Sequence, residues 1–172
     1  MSGRRADLTR AGIVALCAFG LDQISKAVAR TEIARGDEVD LFLGIELVLV
    51  RNDGIAFGLL GGAGPAIIVL AGAAFVVLLA FFLQRGELDT LWLPIGLIAG
   101  GALGNLADRI LDGAVTDFID PPNWPAFNLA DVEITLGVAT LIALYVRDAI
   151  REERNGGGLE EGDGGTEEAR LP

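Results

Sequence analysis

Two uninterrupted apolar runs constrain this chain more than any other feature: Ala66 to Leu83 carries no charge over 18 residues, and Leu91 to Ala107 none over 17. A helix needs about 17 to 25 mostly apolar residues to cross ~30 Å of hydrocarbon, so both runs are read as bilayer spans. Two flanking segments follow the same pattern less cleanly. Ala11 to Ala29 is apolar for eleven residues and then carries Asp22, Ser25 and Lys26, while Phe127 to Val146 places Asn128, Asp131 and Glu133 near its start. With 52% of 172 residues apolar and a mean hydropathy of +0.51, the chain holds more apolar side chain than a soluble domain of this size would bury. A soluble enzyme is excluded on that ground. The expected fold class is an all-α membrane protein of one domain, with spans at 11–29, 66–83, 91–107 and 127–146 inside residues 1–151.

Residues 152–172 carry seven acids and two arginines among glycines, a composition expected to stay disordered. This tail accounts for much of the net charge of −11; without it 17 acids face 11 bases. No nucleic-acid partner is expected from such a balance. The start of the chain also has the look of a secretory signal, with Cys17 in a lipobox-like place. Leu16 precedes that cysteine where a small residue belongs, however, and Asp22 stands where a cleavage region would be.

Lys and Arg bias sets orientation. With the N-terminus inside, Arg4, Arg5, Arg10, Arg85, Arg147, Arg151, Arg154 and Arg170 fall on the inner side, against Lys26, Arg30, Arg35, Arg51 and Arg109 outside. Both termini are therefore expected in the cytoplasm. The outer connections, Arg30 to Pro65 and Asp108 to Ala126, are long, and the inner one, Gln84 to Thr90, is short, so function is expected outside. Within the first outer connection, Val39 to Val50 is β-branched and Leu-rich around Gly44, and Asn52-Asp53-Gly54 follows as a turn. A small external β-structure is expected there.

This topology brings the polar residues of all four spans to one depth: Asp22, Ser25 and Lys26; Asn52; Asn105, Asp108 and Arg109; Asp117; Asn128 and Asp131. Each group has a plain structural explanation. Asp22 and Lys26 lie four apart and can pair on one helix face. Asn105, Asp108 and Arg109 can close a helix, Asp117 can be a loop carboxylate, and Asn128 with Asp131 has the spacing of an N-cap and its N3 acid. Independent caps, however, would have no reason to converge. Charges within a span cost about 2.5–3.5 kcal/mol each, so their convergence points to a site. The chain has no histidine, and Cys17 is its one cysteine, which rules out His-based triads, Cys–His dyads and His/Cys zinc sites. Two carboxylates held together at a poorly hydrated boundary share a proton. One can then activate water while the other protonates a leaving nitrogen, with no cofactor and no metal. That is the equipment of an aspartic peptidase.

Five segments, DQISK (Asp22 to Lys26), NDGIAF (Asn52 to Phe57), GNLADR (Gly104 to Arg109), GAVTDF (Gly113 to Phe118) and FNLAD (Phe127 to Asp131), resemble in order and placement the boxes of the lipoprotein signal peptidases, signal peptidase II. The resemblance covers Asp22 to about Thr135. It implies a multi-pass bacterial inner-membrane peptidase that removes the signal peptide of a prolipoprotein just before its diacylglyceryl-modified cysteine. It implies Asp117 and Asp131 as the catalytic dyad. It further implies Asn52, Asn105, Asp108, Arg109 and Asn128 as supports that position substrate or dyad, and Asp22 with Lys26 as the tie between first helix and site. The external β-segment would form the family's cradle over the membrane surface. The expected partners are the modified prolipoprotein and membrane lipids, with the chain acting as a monomer. Val132-Glu133 departs from the small or polar residues expected after the last box, and only thirteen residues separate Asp117 from Asp131. Two other classes compete. Asp108, Asp112-Gly113, Asp117 and Asp120 resemble the spaced aspartates of metal-dependent lipid headgroup transferases, but the D-G-x-x-A-R segment of those enzymes is missing. A proton-coupled small transporter would place an acid near mid-membrane, where the second span has none.

Overall fold

A helix of membrane length sets the frame of this computed structural model, which describes residues 2–53 and 91–160. The expected second span, 66–83, and the NDGIAF box beyond Asp53 lie outside the described residues. Helix α1 runs Ser2–Glu32, and a hairpin follows, with strands β1 (Val39–Phe42) and β2 (Ile45–Asn52). Then come helix α2 (Trp92–Leu111), strand β3 (Val115–Asp120) and helix α3 (Leu129–Glu160). The chain is thus mostly helical with one small antiparallel sheet in the order β1-β2-β3. Among the described residues, Gly3–Glu32 and Leu129–Arg147 are long and apolar enough to cross a membrane. Helix α2 occupies the place of the third expected span.

The helices overrun their expected bounds at their polar ends. Helix α1 begins at Ser2 rather than Ala11, because Arg4, Arg5 and Arg10 are good helix formers and can sit in water beyond the hydrocarbon. Helix α3 continues to Glu160, which corrects the expectation of disorder for 152–160; a helix already nucleated by its span propagates at little cost into Arg151, Glu152, Glu153 and Arg154.

Helix α2 packs against both neighbours at backbone distance, and its glycines explain how. Gly96, Gly100 and Gly104 recur every four residues and face α1. A Cβ at Gly96 would stand 2.6 Å from that of Val14, one at Gly100 2.6 Å from the Ala15 carbonyl oxygen, and one at Gly104 would fall on the Asp22 carboxylate. Gly101 faces the other way, where a Cβ would lie 2.6 Å from the Ala130 carbonyl of α3. Small residues at such spacing let membrane helices approach closely where no hydrophobic drive exists between them.

The sheet caps the end of this helix trio at which Glu32, Leu111 and Leu129 lie. Leu43 and Gly44 form the hairpin turn, both at positive φ (55° and 77°), as a two-residue turn between right-twisted strands requires. Strand β2 pairs antiparallel with β3 through Val50 and Asp117, Arg51 and Thr116, and Asn52 and Val115. Asn52 is therefore the last residue of a strand rather than part of a turn, and Asp117 sits on a strand rather than a loop. Phe118 presses inward on Ala29 and Ile33 of α1, with Leu47, Leu49, Ile119 and Leu129 around them, which fixes the sheet to the last turns of α1.

Candidate active site

The residues between the two aspartates fold back on themselves. Phe127 donates its N–H to the Ile119 carbonyl (2.9 Å) and accepts from the N–H groups of Phe118 and Ile119 (3.0 Å each). This closure returns the chain to β3 just before Asn128, so the first turn of α3 starts beside Asp117. The short thirteen-residue connection is thus a closed loop that delivers Asn128.

Asn128 then serves two ends at once. Its Oδ1 accepts the Asp131 N–H (3.1 Å), and its own N–H donates to Asp131 Oδ2 (3.4 Å), a reciprocal N-cap of the kind its spacing suggests. Its amide nitrogen donates to Asp117 Oδ1 (2.6 Å) and to Asn105 Oδ1 (3.2 Å). The cap and the site support are the same side chain. Because Oδ1 faces an N–H and Nδ2 faces a carboxylate, only one orientation of the amide satisfies both sides.

Among the described residues, each carboxylate oxygen of the two aspartates receives one N–H. On Asp117, Asn128 serves Oδ1 and Asn52 serves Oδ2 (2.8 Å). On Asp131, Asn105 serves Oδ1 (2.9 Å) and the Asn128 backbone serves Oδ2. Every oxygen keeps a lone pair for a proton or a water. Burial pushes the Asp117 carboxyl above its ordinary range, the amides of Asn52 and Asn128 pull it back down, and the charge of Asp131 pushes it up again.

Beneath them lies a buried ionic knot. The Lys26 ammonium has three protons and three acceptors: Asp22 Oδ2 (2.9 Å), Asp108 Oδ2 (3.1 Å) and Asn105 Oδ1 (2.9 Å). Asp22, Lys26 and Asp108 are all buried. By holding Asn105 Oδ1, Lys26 forces the other end of that amide toward Asp131. Asp22 Oδ1 accepts the Ala130 N–H (3.0 Å), one of the first-turn donors of α3 that no helical carbonyl can reach. Asp108 Oδ2 accepts the Thr116 N–H (3.1 Å), which anchors β3 one residue before Asp117. The knot thus ties α1, α2, α3 and β3 to one point.

Of the residues singled out from sequence, Asp22, Lys26, Asn52, Asn105, Asp108, Asp117, Asn128 and Asp131 come together in this network. Arg109 stands at its edge, donating to the Asn105 carbonyl (3.1 Å). One member escaped notice. The Gln23 amide nitrogen lies within hydrogen-bond reach of Asp22 Oδ2 (3.1 Å), the Gly104 carbonyl (3.2 Å) and Asp108 Oδ1 (3.1 Å); its adjacency to Asp22 was the available sign. Glu133, one of the two residues noted as a departure, is buried, and its Oε2 has no partner among the described residues.

Comparison with known proteins decides the family. The family model described as "Signal peptidase (SPase) II" matches residues 14–147. The chain belongs to the signal peptidase II family. Among curated relatives, the lipoprotein signal peptidase of Syntrophomonas wolfei is 42% identical over 136 residues, covering 78% of this chain and 91% of that one. The lipoprotein signal peptidase of Rhodopseudomonas palustris is 41% identical over 145 residues, covering 77% and 87%. A solved structure described as a bacterial membrane enzyme superposes with a TM-score of 0.73 at 30% identity, covering 80% of this chain and 93% of its own; a second so described gives 0.72 at 26%, covering 93% and 94%. As a signal peptidase II the protein is a peptidase, and its helices fit a bacterial membrane enzyme.

Proposed function

We propose that the protein is an aspartic endopeptidase that removes signal peptides from prolipoproteins, cleaving just before the diacylglyceryl-modified cysteine, with Asp117 and Asp131 as the dyad. The observation that carries this reading is Asn128, which holds Asp117 through its side chain and Asp131 through its backbone. The pair shares one proton. The ionised member takes a proton from water as the water attacks the scissile carbonyl, and the protonated member gives its proton to the leaving nitrogen. Asn52, Asn105 and Asn128 hold the carboxylates in place, and Lys26 with Asp22 and Asp108 holds the asparagines and helix ends.

The same reading has four spans, both termini cytoplasmic, the dyad near the outer face of the inner membrane, and the chain acting as a monomer. It is supported by the polar ends of α1, α2 and α3 meeting at one level under the sheet. The deciding experiment incubates purified protein with a diacylglyceryl-modified precursor. Wild type cleaves it, whereas Asp117→Asn and Asp131→Asn each lose on the order of 10⁴-fold in turnover; the double variant is scarcely slower than either, because groups acting as one unit are not additive. Asp120→Asn, on the same strand, stays active. An active Asp117→Asn or Asp131→Asn enzyme would end this account.

A further inference from the structure

Beside the network, at the outer end of α1, lies a cavity of about 260 Å³ whose walls include Arg30, Arg35, Arg51, Asp112, Thr116 and Leu49. Three arginines around one small space stand out in a chain of net charge −11. We propose that this cavity holds the phosphate of an anionic phospholipid headgroup, independently of the peptidase dyad.

Charge comes first. Among the described residues Asp112 is the one acid on the walls, against three arginines; Arg51 also pairs with Asp53 (3.3 Å) and Arg30 lies 3.9 Å from Asp108, whose nearer partner is Lys26 (3.1 Å). Arg30 Nη1 donates to Asp112 Oδ2 (3.0 Å) and to Thr116 Oγ1 (3.1 Å), and Arg51 Nη2 donates to the Asp112 carbonyl (2.6 Å). These bonds fix two guanidinium groups at the rim. Arg35, exposed, has no ion pair among the described residues. Planar guanidinium forks suit phosphate oxygens.

Depth then chooses a lipid over a free phosphate. The apolar span read from the sequence, 11–29, ends immediately before Arg30, so Arg30 and Arg35 stand where a span of that length gives way to headgroups. The end of α2 adds Ile110 and Leu111, 68% and 77% exposed, immediately before Asp112, an apolar surface on which acyl chains can rest while the phosphate enters. The volume is below the ~300 Å³ of a typical small-molecule pocket, room for a headgroup and not for its chains.

The test uses the full chain in neutral detergent, with retained lipid counted by native mass spectrometry. Probes are phosphatidylglycerol and phosphatidylcholine of matched chains, with inorganic phosphate tested separately as a competitor. Phosphatidylglycerol is expected to be retained in preference to phosphatidylcholine, and inorganic phosphate at equal concentration to compete poorly. Arg35→Gln, at an exposed side chain, should weaken that retention roughly fivefold. Arg154→Gln, roughly 38 Å further along α3 by its helical rise, removes the same charge and should leave retention unchanged. Equal retention of the two lipids, an unaffected Arg35→Gln, or an Arg154→Gln loss as large as that of Arg35→Gln would overturn the proposal. Full competition by inorganic phosphate would overturn the lipid assignment in favour of a soluble anion.

Discussion

The buried knot under the aspartates and the hairpin-turn edge of the sheet both gather carboxylates, under opposite conditions. In the knot, Asp22, Lys26 and Asp108 are out of water, and every ammonium proton has a named acceptor. At the sheet edge, Glu38, Asp40, Glu46 and Asp120 crowd one another with no cation among the causes that shift Glu46, and water does the screening. A buried charge is tolerable only when its partners are complete, so each member of the knot holds the others in place. An exposed charge has no such obligation. The contrast makes the knot a poor place to substitute anything and the sheet edge a forgiving one.

The sharpest break of that contrast is Lys26→Met. It removes the cation shared by two buried carboxylates, leaving Asp22 without one among the described residues and Asp108 with only Arg30 at 3.9 Å, a loss of about 3–5 kcal/mol for a broken buried pair. It also frees Asn105 to turn its amide, so Asp131 loses its oriented donor. Thermal unfolding in detergent should show a large drop in melting temperature, and cleavage should fall even below the unfolding range. A melting temperature near that of the wild type would mean that water reaches Lys26 and that the knot resembles the sheet edge after all.

Asn128→Ala comes next. Losing the cap costs ~1 kcal/mol, and orphaning an oxygen of Asp117 adds about 1–3 kcal/mol. Measured on one preparation, both stability and turnover should fall. Lowered stability with turnover intact would reduce Asn128 to a helix cap and detach it from the dyad.

Gly104→Ala tests how the knot is enclosed. Its Cβ would fall on the Asp22 carboxylate, so α1 must move or Asp22 must release the Ala130 N–H. Overpacking of this kind costs about 1–3 kcal/mol, whereas Gly12→Ala, with nothing within 4 Å of its new Cβ, should be neutral or slightly stabilising through helix propensity. Equal effects of the two would show that α1 and α2 are less tightly apposed than the glycine stripe requires.

These substitutions also mark what the sequence made legible. The level at which polar residues gather was readable because a span must hide its charges, and Asn128 with Asp131 was readable because a cap has a fixed spacing. Strand β3 was not: GAVTDF has no strand-like alternation of its own and becomes a strand by pairing with β2, sixty-five residues upstream between Asn52 and Asp117, a long-range partnership that no local pattern encodes. Gln23 was missed for the same reason, since two of its three acceptors belong to α2. The start of α1 was misplaced because the rule applied there was one for hydrocarbon, and the helix does not stop where hydrocarbon does.

The smallest effect belongs to Glu46→Gln at the sheet edge, and its value lies in its sign. Repulsion from Glu38 is the main cause that raises the Glu46 carboxyl above its ordinary range, with burial, Asp40 and Asp120 adding to it. A folded-state pKa raised above the unfolded value means that the folded chain binds this proton more tightly, so the folded state is favoured at low pH and loses that advantage as pH rises through the folded pKa. Above that range the wild type carries an unwelcome charge and the glutamine does not. Glu46→Gln should therefore raise the melting temperature slightly at neutral pH and low ionic strength. The gain should disappear at acid pH, where wild-type Glu46 is already neutral, and shrink in ~0.5 M salt, where screening falls to a few ångströms. The loss caused by Lys26→Met should show no such salt dependence, because salt does not reach a buried pair. If salt diminished both effects, or neither, the two regions would not differ in solvation, and the comparison drawn between them would fail at its root.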